Sequence, residues 1–157
     1  MKNIFDLSFE EIEAFVVQAG EKKFHAKQIW HGLYRHLFQD WAQFTDLSKT
    51  LRSKLAQELM FGGLFEINKI ESFDSETQKT LFKLSDGNFI ESVLLKKMGR
   101  ITLCISTQSG CPVGCAFCAT GNLGFFRHLS TGEIIEQALI MQRQLAAENK
   151  KITNVVF

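Results

Sequence analysis

The sequence predicts an α/β chain (α+β overall): a small N-terminal helical domain, a β-hairpin segment, and one βαβ unit. Three observations carry this. Capped apolar repeats at helical spacing occupy residues 1–62. Alternating strand-like runs flank Asp86-Gly87, a hairpin turn signal. A strand, a cysteine-rich loop, a capped helix and a second strand then follow in order, which implies parallel strands joined by a right-handed crossover. The expected divisions are 1–62, 63–99 and 100–157.

Ser8-Phe9-Glu10-Glu11 fits a capping box, and Ile12, Phe15, Val16 and Ala19 recur behind it until Gly20 can end the helix. A second helix is predicted from His25 to about Leu37, on Ile29, Leu33 and Leu37. A third begins near Ser48, carries Leu51, Leu55 and Leu59, and breaks at Gly62-Gly63. Thr80 to Leu84 and Asn88 to Lys96 read as the hairpin strands. Arg100 to Thr107 reads as a strand in which Ile101, Leu103 and Ile105 alternate with Thr102, Cys104 and Ser106, so Cys104 lies on the more polar face. Gln108 to Arg127 reads as a loop. Ser130-Thr131-Gly132-Glu133 is a second capping box, opening a long helix on Ile134, Ala138, Met141 and Leu145. Asn149-Lys150-Lys151 is a turn, and Ile152 to Phe157 a strand. One βαβ unit does not close a barrel, which takes about 250 residues, so the chain reads as a fragment of a larger fold.

The hydrophobic fraction of 45% and charged fraction of 22% are those of a globular protein. Fifteen Phe against one Tyr suggest a Phe-packed core, and a single Pro leaves no Pro-rich linker. The N-terminus has no signal-like apolar run and no stretch approaches a membrane span, so a cytoplasmic protein without a membrane partner is expected. A net charge of +1 gives no whole-chain argument for nucleic acid. Lys22, Lys23, His25, Lys27, His31, Arg35 and His36 crowd one segment, which reads either as a solvated helix face or as phosphate contacts, with Trp30 and Tyr34 as core or stacking residues.

The strongest chemical signal is Cys111-Pro112-Val113-Gly114-Cys115-Ala116-Phe117-Cys118, a C-x3-C-x2-C motif. In a reducing compartment, clustered cysteines point to metal ligation before disulfides. Thiolates suit iron–sulfur clusters. Four irons held by Cys111, Cys115 and Cys118 leave one iron open to chelate the methionine end of S-adenosylmethionine (SAM), whose reductive cleavage gives a 5′-deoxyadenosyl radical. Phe117 can shield such a cluster, and Gly110, Gly114, Gly121 and Gly124 let backbone pass close to it. The alternative is zinc, with Cys104 or His128 supplying a fourth ligand.

Cys104-Ile105-Ser106-Thr107-Gln108-Ser109-Gly110-Cys111, then Gly114-Cys115-Ala116-Phe117-Cys118-Ala119-Thr120-Gly121, resembles the signature of the RlmN/Cfr family of radical SAM adenosine methyltransferases. Phe125-Phe126-Arg127-His128-Leu129 and Gly132-Glu133-Ile134 continue it. Lys23-Phe24-His25-Ala26-Lys27-Gln28-Ile29-Trp30 is similar to the family's N-terminal helical domain, and Leu81-Phe82-Lys83-Leu84 with Ile90-Glu91-Ser92-Val93 to its β segment.

The resemblance implies that 1–62 is an RNA-contacting accessory domain and 100–157 the start of a truncated radical SAM (β/α) barrel, a partial TIM barrel. It implies a [4Fe–4S] cluster and SAM as cofactors, and an electron donor such as flavodoxin. It also implies a reaction in which a methylated cysteine, activated by the adenosyl radical, adds to an adenine ring carbon. Glu91 matches the proton acceptor, and Cys104 the resolving cysteine that forms a transient disulfide. The product is 2-methyladenosine at adenosine 2503 of 23S rRNA, with adenosine 37 of tRNA as a further target. The family's Gly-rich SAM segment and methyl-carrying cysteine have no counterpart here, so no SAM-binding residue is assignable, and the chain is expected to be inactive alone. Two alternatives stand: a Cfr-type enzyme methylating C8 of the same adenosine, and a non-catalytic zinc-dependent RNA-binding module.

Overall fold

Helix ends written into the sequence organise the first part of the chain. β1 (Lys2–Asn3) leads through a 3-10 turn into α1 (Phe9–Gln18). Ser8 Oγ accepts the Glu11 N–H at 3.2 Å, and the Glu11 carboxylate accepts the Ser8 N–H at 2.8 Å, closing the expected capping box. α2 (Phe24–Tyr34) stops three residues before Leu37, because Leu37 takes φ 59° and breaks the helical ladder. After an Asp40-capped turn, Ser48 caps α3 (Lys49–Glu58). Leu59, expected as the last apolar residue of that helix, instead lies in β2 (Leu59–Met60), parallel to β1. Ile12, Val16, Ile29, Leu33, Leu51 and Leu55 are buried, so the helical periodicity read correctly. Gly32 is required: a Cβ there would stand 2.2 Å from Phe44 Cε1.

The structure, a computed structural model, describes residues 1–157, which divide into two units, Met1–Gly62 and Gly63–Phe157. In the second, β3 (Phe65–Glu71), β4 (Thr77–Lys83), β5 (Phe89–Lys97) and β6 (Arg100–Cys104) form an antiparallel run. The chain continues through β7 (Gln108–Gly110), α4 (Ala119–Asn122), β8 (Phe125–His128) and α5 (Thr131–Ala146) to β9 (Asn154–Val156). β9 pairs parallel with β6, giving the sheet order β3-β4-β5-β6-β9 and the expected βαβ unit. Residues 63–99 and 100–157 thus share one sheet and one core. Phe82, Ile90, Leu94 and Leu103 pack with Met141 and Leu145 of α5 on one face of it.

Three expectations are corrected. The strand from Arg100 ends at Cys104, and Gln108 to Arg127 is a loop only in its middle, since β7 and β8 pair across its base. β3 was not foreseen; every one of its residues is exposed, so it lacks the half-buried alternation that reveals a strand. The core is not Phe-packed. Of fifteen Phe only Phe5, Phe44 and Phe82 are buried, and Leu and Ile fill the interior, because most Phe side chains lie on open faces and loops. No helix is long and apolar enough to cross a membrane.

Candidate active site: a cysteine loop and a carboxylate–thiol face

The cysteine loop is built from its base upward. Gln108 pairs with His128, Ser109 with Arg127 and Gly110 with Phe125. Gly110 has φ 74°, and a Cβ on it would stand 1.9 Å from the Gly124 carbonyl oxygen, so only glycine closes this base. The Cys111 N–H donates to the same Gly124 oxygen at 3.0 Å. Higher up, the Cys118 N–H donates to the Cys115 oxygen at 3.0 Å, and Cys118 N-caps the single turn α4. Cys111, Cys115 and Cys118 are free thiols and half-buried. The apolar residues between and beyond them point outward; Phe117 is 94% exposed and shields nothing within this chain. As the side chains stand, no three His, Cys, Asp or Glu groups are gathered tightly enough to hold a metal ion. Neither of the residues considered as a fourth zinc ligand is brought in: His128 Nδ1 lies 3.2 Å from Gln108 Nε2, and Cys104 lies on the sheet.

A clamp fixes this loop to its surroundings. Arg127 of β8 donates from Nη1 and Nη2 to both carboxylate oxygens of Glu133 at 2.7 and 2.8 Å, and from Nε to Asp86 in the β4–β5 turn. Glu133 also completes the α5 capping box with Ser130. The hydrogen bonds from Arg127 hold Glu133 below the usual carboxylate range against the opposing effect of burial. Asp86 is lowered first by Arg127 and then by the Asn88 N–H.

Glu91 and Cys104 come together on the sheet face opposite α5. Along β5, Ile90, Ser92 and Leu94 are buried while Glu91 is exposed. Leu94 faces Leu103 across the ladder and Val93 faces Cys104, so Cys104 lies on the same face as Glu91, as its strand alternation predicted. The two are diagonal cross-strand neighbours, a relation that sets their backbones about 7–8 Å apart. Lys79, on the next strand, ion-pairs with Glu91 at 3.0 Å. Cys104 is half-buried.

In the first unit, Lys23 pairs with Glu13 at 2.8 Å and His25 with Gln28 at 2.7 Å, while Lys22, Lys27, His31, Arg35 and His36 are exposed. Trp30 and Tyr34 are half-buried and pack on each other at 4.5 Å, with Trp30 against Phe9 and Tyr34 against Phe5. They serve the aromatic packing of that unit.

Sequence reasoning missed two polar arrangements, the Arg127 clamp and a buried carboxamide, Gln137. Gln137 occupies a covered position of α5 among apolar neighbours, and a polar residue breaking that periodic row was the available signal.

A strand, a three-cysteine loop, a capped helix and a parallel strand, on a sheet carrying a carboxylate and a thiol, match a solved structure along the whole chain. The radical SAM methyltransferase from Sphaerobacter thermophilus superposes with a TM-score of 0.93 at 39% identity, covering 100% of this chain and 46% of that one. The chain therefore shares the fold of part of a radical SAM methyltransferase. Residues 2–60 match the family model described as ribosomal RNA large subunit methyltransferase N-terminal domain. A probable dual-specificity RNA methyltransferase RlmN from Thermotoga sp. (strain RQ2) is 46% identical over 157 residues, all of this chain and 45% of its own length. The dual-specificity RNA methyltransferase RlmN of Syntrophobacter fumaroxidans is 41% identical over 97% of this chain and 44% of its own. The chain is a relative of the RlmN RNA methyltransferases, and it spans less than half the length of these curated relatives.

Proposed function

We propose that this chain is the N-terminal part of an RlmN-type enzyme that methylates C2 of adenosine 2503 in 23S rRNA, and adenosine 37 in tRNA, by radical SAM chemistry. The observation that carries the reading is the join of two features: the C-x3-C-x2-C loop follows the strand bearing Cys104, in a chain 46% identical along its whole length to an RNA methyltransferase relative. Three soft thiols on one short loop, half-buried and with glycine-closed backbone, are the donor set of a [4Fe–4S] cluster with one iron left open, and their side chains would turn inward to hold it. Cys111, Cys115 and Cys118 would hold it. When bound, that group supplies the electron that cleaves SAM to an adenosyl radical.

The chain's own residues do the rest. Glu91, exposed on the open face, takes the proton from the adenine ring carbon as the adduct radical gives up one electron, which the oxidised cluster would accept, leaving a closed-shell thioether. Cys104 attacks the sulfur of the enzyme–RNA thioether. A disulfide forms, the C–S bond breaks, and its electron pair stays on the methylene carbon, which takes a proton to become the methyl group. Residues 1–62 contact the RNA through the exposed Lys22, Lys27, His31 and Arg35. The electron donor is a flavodoxin-like protein. The RlmN relatives favour C2 over the Cfr-type C8 product.

The test is anaerobic reconstitution of the full-length enzyme with iron and sulfide, followed by metal analysis and mass spectrometry of treated rRNA. About four irons per chain, lost in Cys111→Ala, with 2-methyladenosine as product, is the expected result. One zinc without iron–sulfur absorbance would sink the reading, and 8-methyladenosine would replace it with the Cfr type.

A further inference from the structure

The covered face of the sheet carries a carboxamide that the apolar core does not need. Gln137 of α5 is fully buried, and all four of its hydrogen-bonding positions are filled. Its Oε1 accepts from Ser92 Oγ at 2.8 Å and from the Ser106 N–H at 2.9 Å. Its Nε2 donates to the Ser106 oxygen at 2.9 Å and the Glu133 oxygen at 3.1 Å. The pair of bonds to Ser106 is what a neighbouring strand would supply, at a point where β6 has already ended at Cys104. Ser106 in turn donates from Oγ to the Glu91 carbonyl at 2.8 Å.

One side chain thus joins Ser92, which follows Glu91, to Ser106, two residues beyond Cys104. We infer that Gln137 is a positioning residue, setting the separation of the Glu91 carboxylate and the Cys104 thiol from the opposite side of the sheet. The inference rests on the roles proposed above for those two groups. A buried amide is costly when unpaired, and a fully satisfied one admits a single arrangement of its partners. Removing it strips the Ser106 N–H and C=O of their partners and frees Ser106 to shift between Ile105 and Thr107, which keep their backbone bonds to Val156 and Leu129. Cys104 sits at the edge of that segment, so the resolving attack is the step that suffers first.

The experiment uses full-length enzyme, the variants Gln137→Met, Gln137→Glu and Cys104→Ala, and two readouts: RNA–protein adduct surviving denaturant, and backbone amide exchange of the segment around Ser106. Gln137→Met should still form adduct but release it slowly, so that adduct accumulates about tenfold to a hundredfold over the parent enzyme. Exchange around Ser106 should rise by about tenfold or more. Gln137→Glu keeps the acceptor and loses the donor, and its adduct should decline from about pH 8 to about pH 6 as the buried carboxyl protonates and donates to Ser106 again; this series carries the test if Gln137→Met does not fold. Adduct and exchange at parental levels in the folded variants would overturn the inference. If Cys104→Ala itself traps no adduct, the proposed role of Cys104 is what fails, and the exchange measurement alone then decides for or against Gln137.

Discussion

The two faces of the five-stranded sheet are finished differently. The face under α5 is closed: Phe82, Leu94 and Leu103 are at most 2% exposed, and the polar side chains among them, Gln78, Thr80, Ser92 and Gln137, are hydrogen-bonded. The other face presents Phe89, Glu91, Leu95 and Cys104, the first three exposed and the last half-buried. Stability is concentrated on one side and the candidate chemistry on the other, with single strands serving both through their period of two. Substitutions should therefore separate cleanly by face.

The largest expected effect is on turnover. Glu91→Gln should lower the rate of the full-length enzyme by about 10²–10⁴-fold, the usual contribution of a general base, with the unfolding midpoint in denaturant unmoved. A parallel fall in stability would blur the distinction between faces. Next comes the covered face, where Phe82→Ala should cost about 3–5 kcal/mol in chemical denaturation, while Phe89→Ala, half-exposed on the open side, should cost well under half of that. Equal losses would break the comparison.

Arg127→Met should destabilise by about 2–4 kcal/mol, because it strands Glu133, which is 10% exposed, without its partner. The effect has a sign in pH. Asp86 and Glu133 are both lowered in the folded chain, so their stabilisation is present above their unfolded values, near pH 4, and is lost as pH falls through the depressed ones. Glu136 works the other way. Burial raises it, so its contribution is present below its unfolded value and lost as pH rises through the folded one. Acid titrations of stability should show the Arg127→Met variant flatter than the parent below about pH 4. Smallest of all is Lys79→Met, since the Lys79–Glu91 pair is about half exposed; its removal should change stability by about 0.5 kcal/mol or less, read from the same denaturation curves.

Much of this arrangement was legible in the sequence, for local reasons. The capping boxes at Ser8 and Ser130 are set by residues three apart, and both form. The βαβ order gave the parallel pairing of β6 with β9, and the alternation around Cys104 gave its face. What stayed hidden depends on distant partners. Arg127 meets Asp86 across 41 positions and Gln137 meets Ser92 across 45, separations at which no periodicity speaks. β3 is exposed along its length and bulged near Ile67, so it leaves no alternating imprint. Phe count misled because abundance says nothing about which face a ring occupies.

The Arg127 clamp has a consequence for protein engineering. A designer wishing to graft the cysteine loop onto another scaffold would be tempted to cut at the ends of the motif, between Gly110 and Gly124. The guanidinium fork shows that the portable piece is larger. It includes the hairpin tip at Asp86, the paired stems at Gln108–Gly110 and Phe125–His128, and the opening turns of the following helix through Glu133. A transplant that omits the tip or the helix start would carry the thiols without the bracket that holds them.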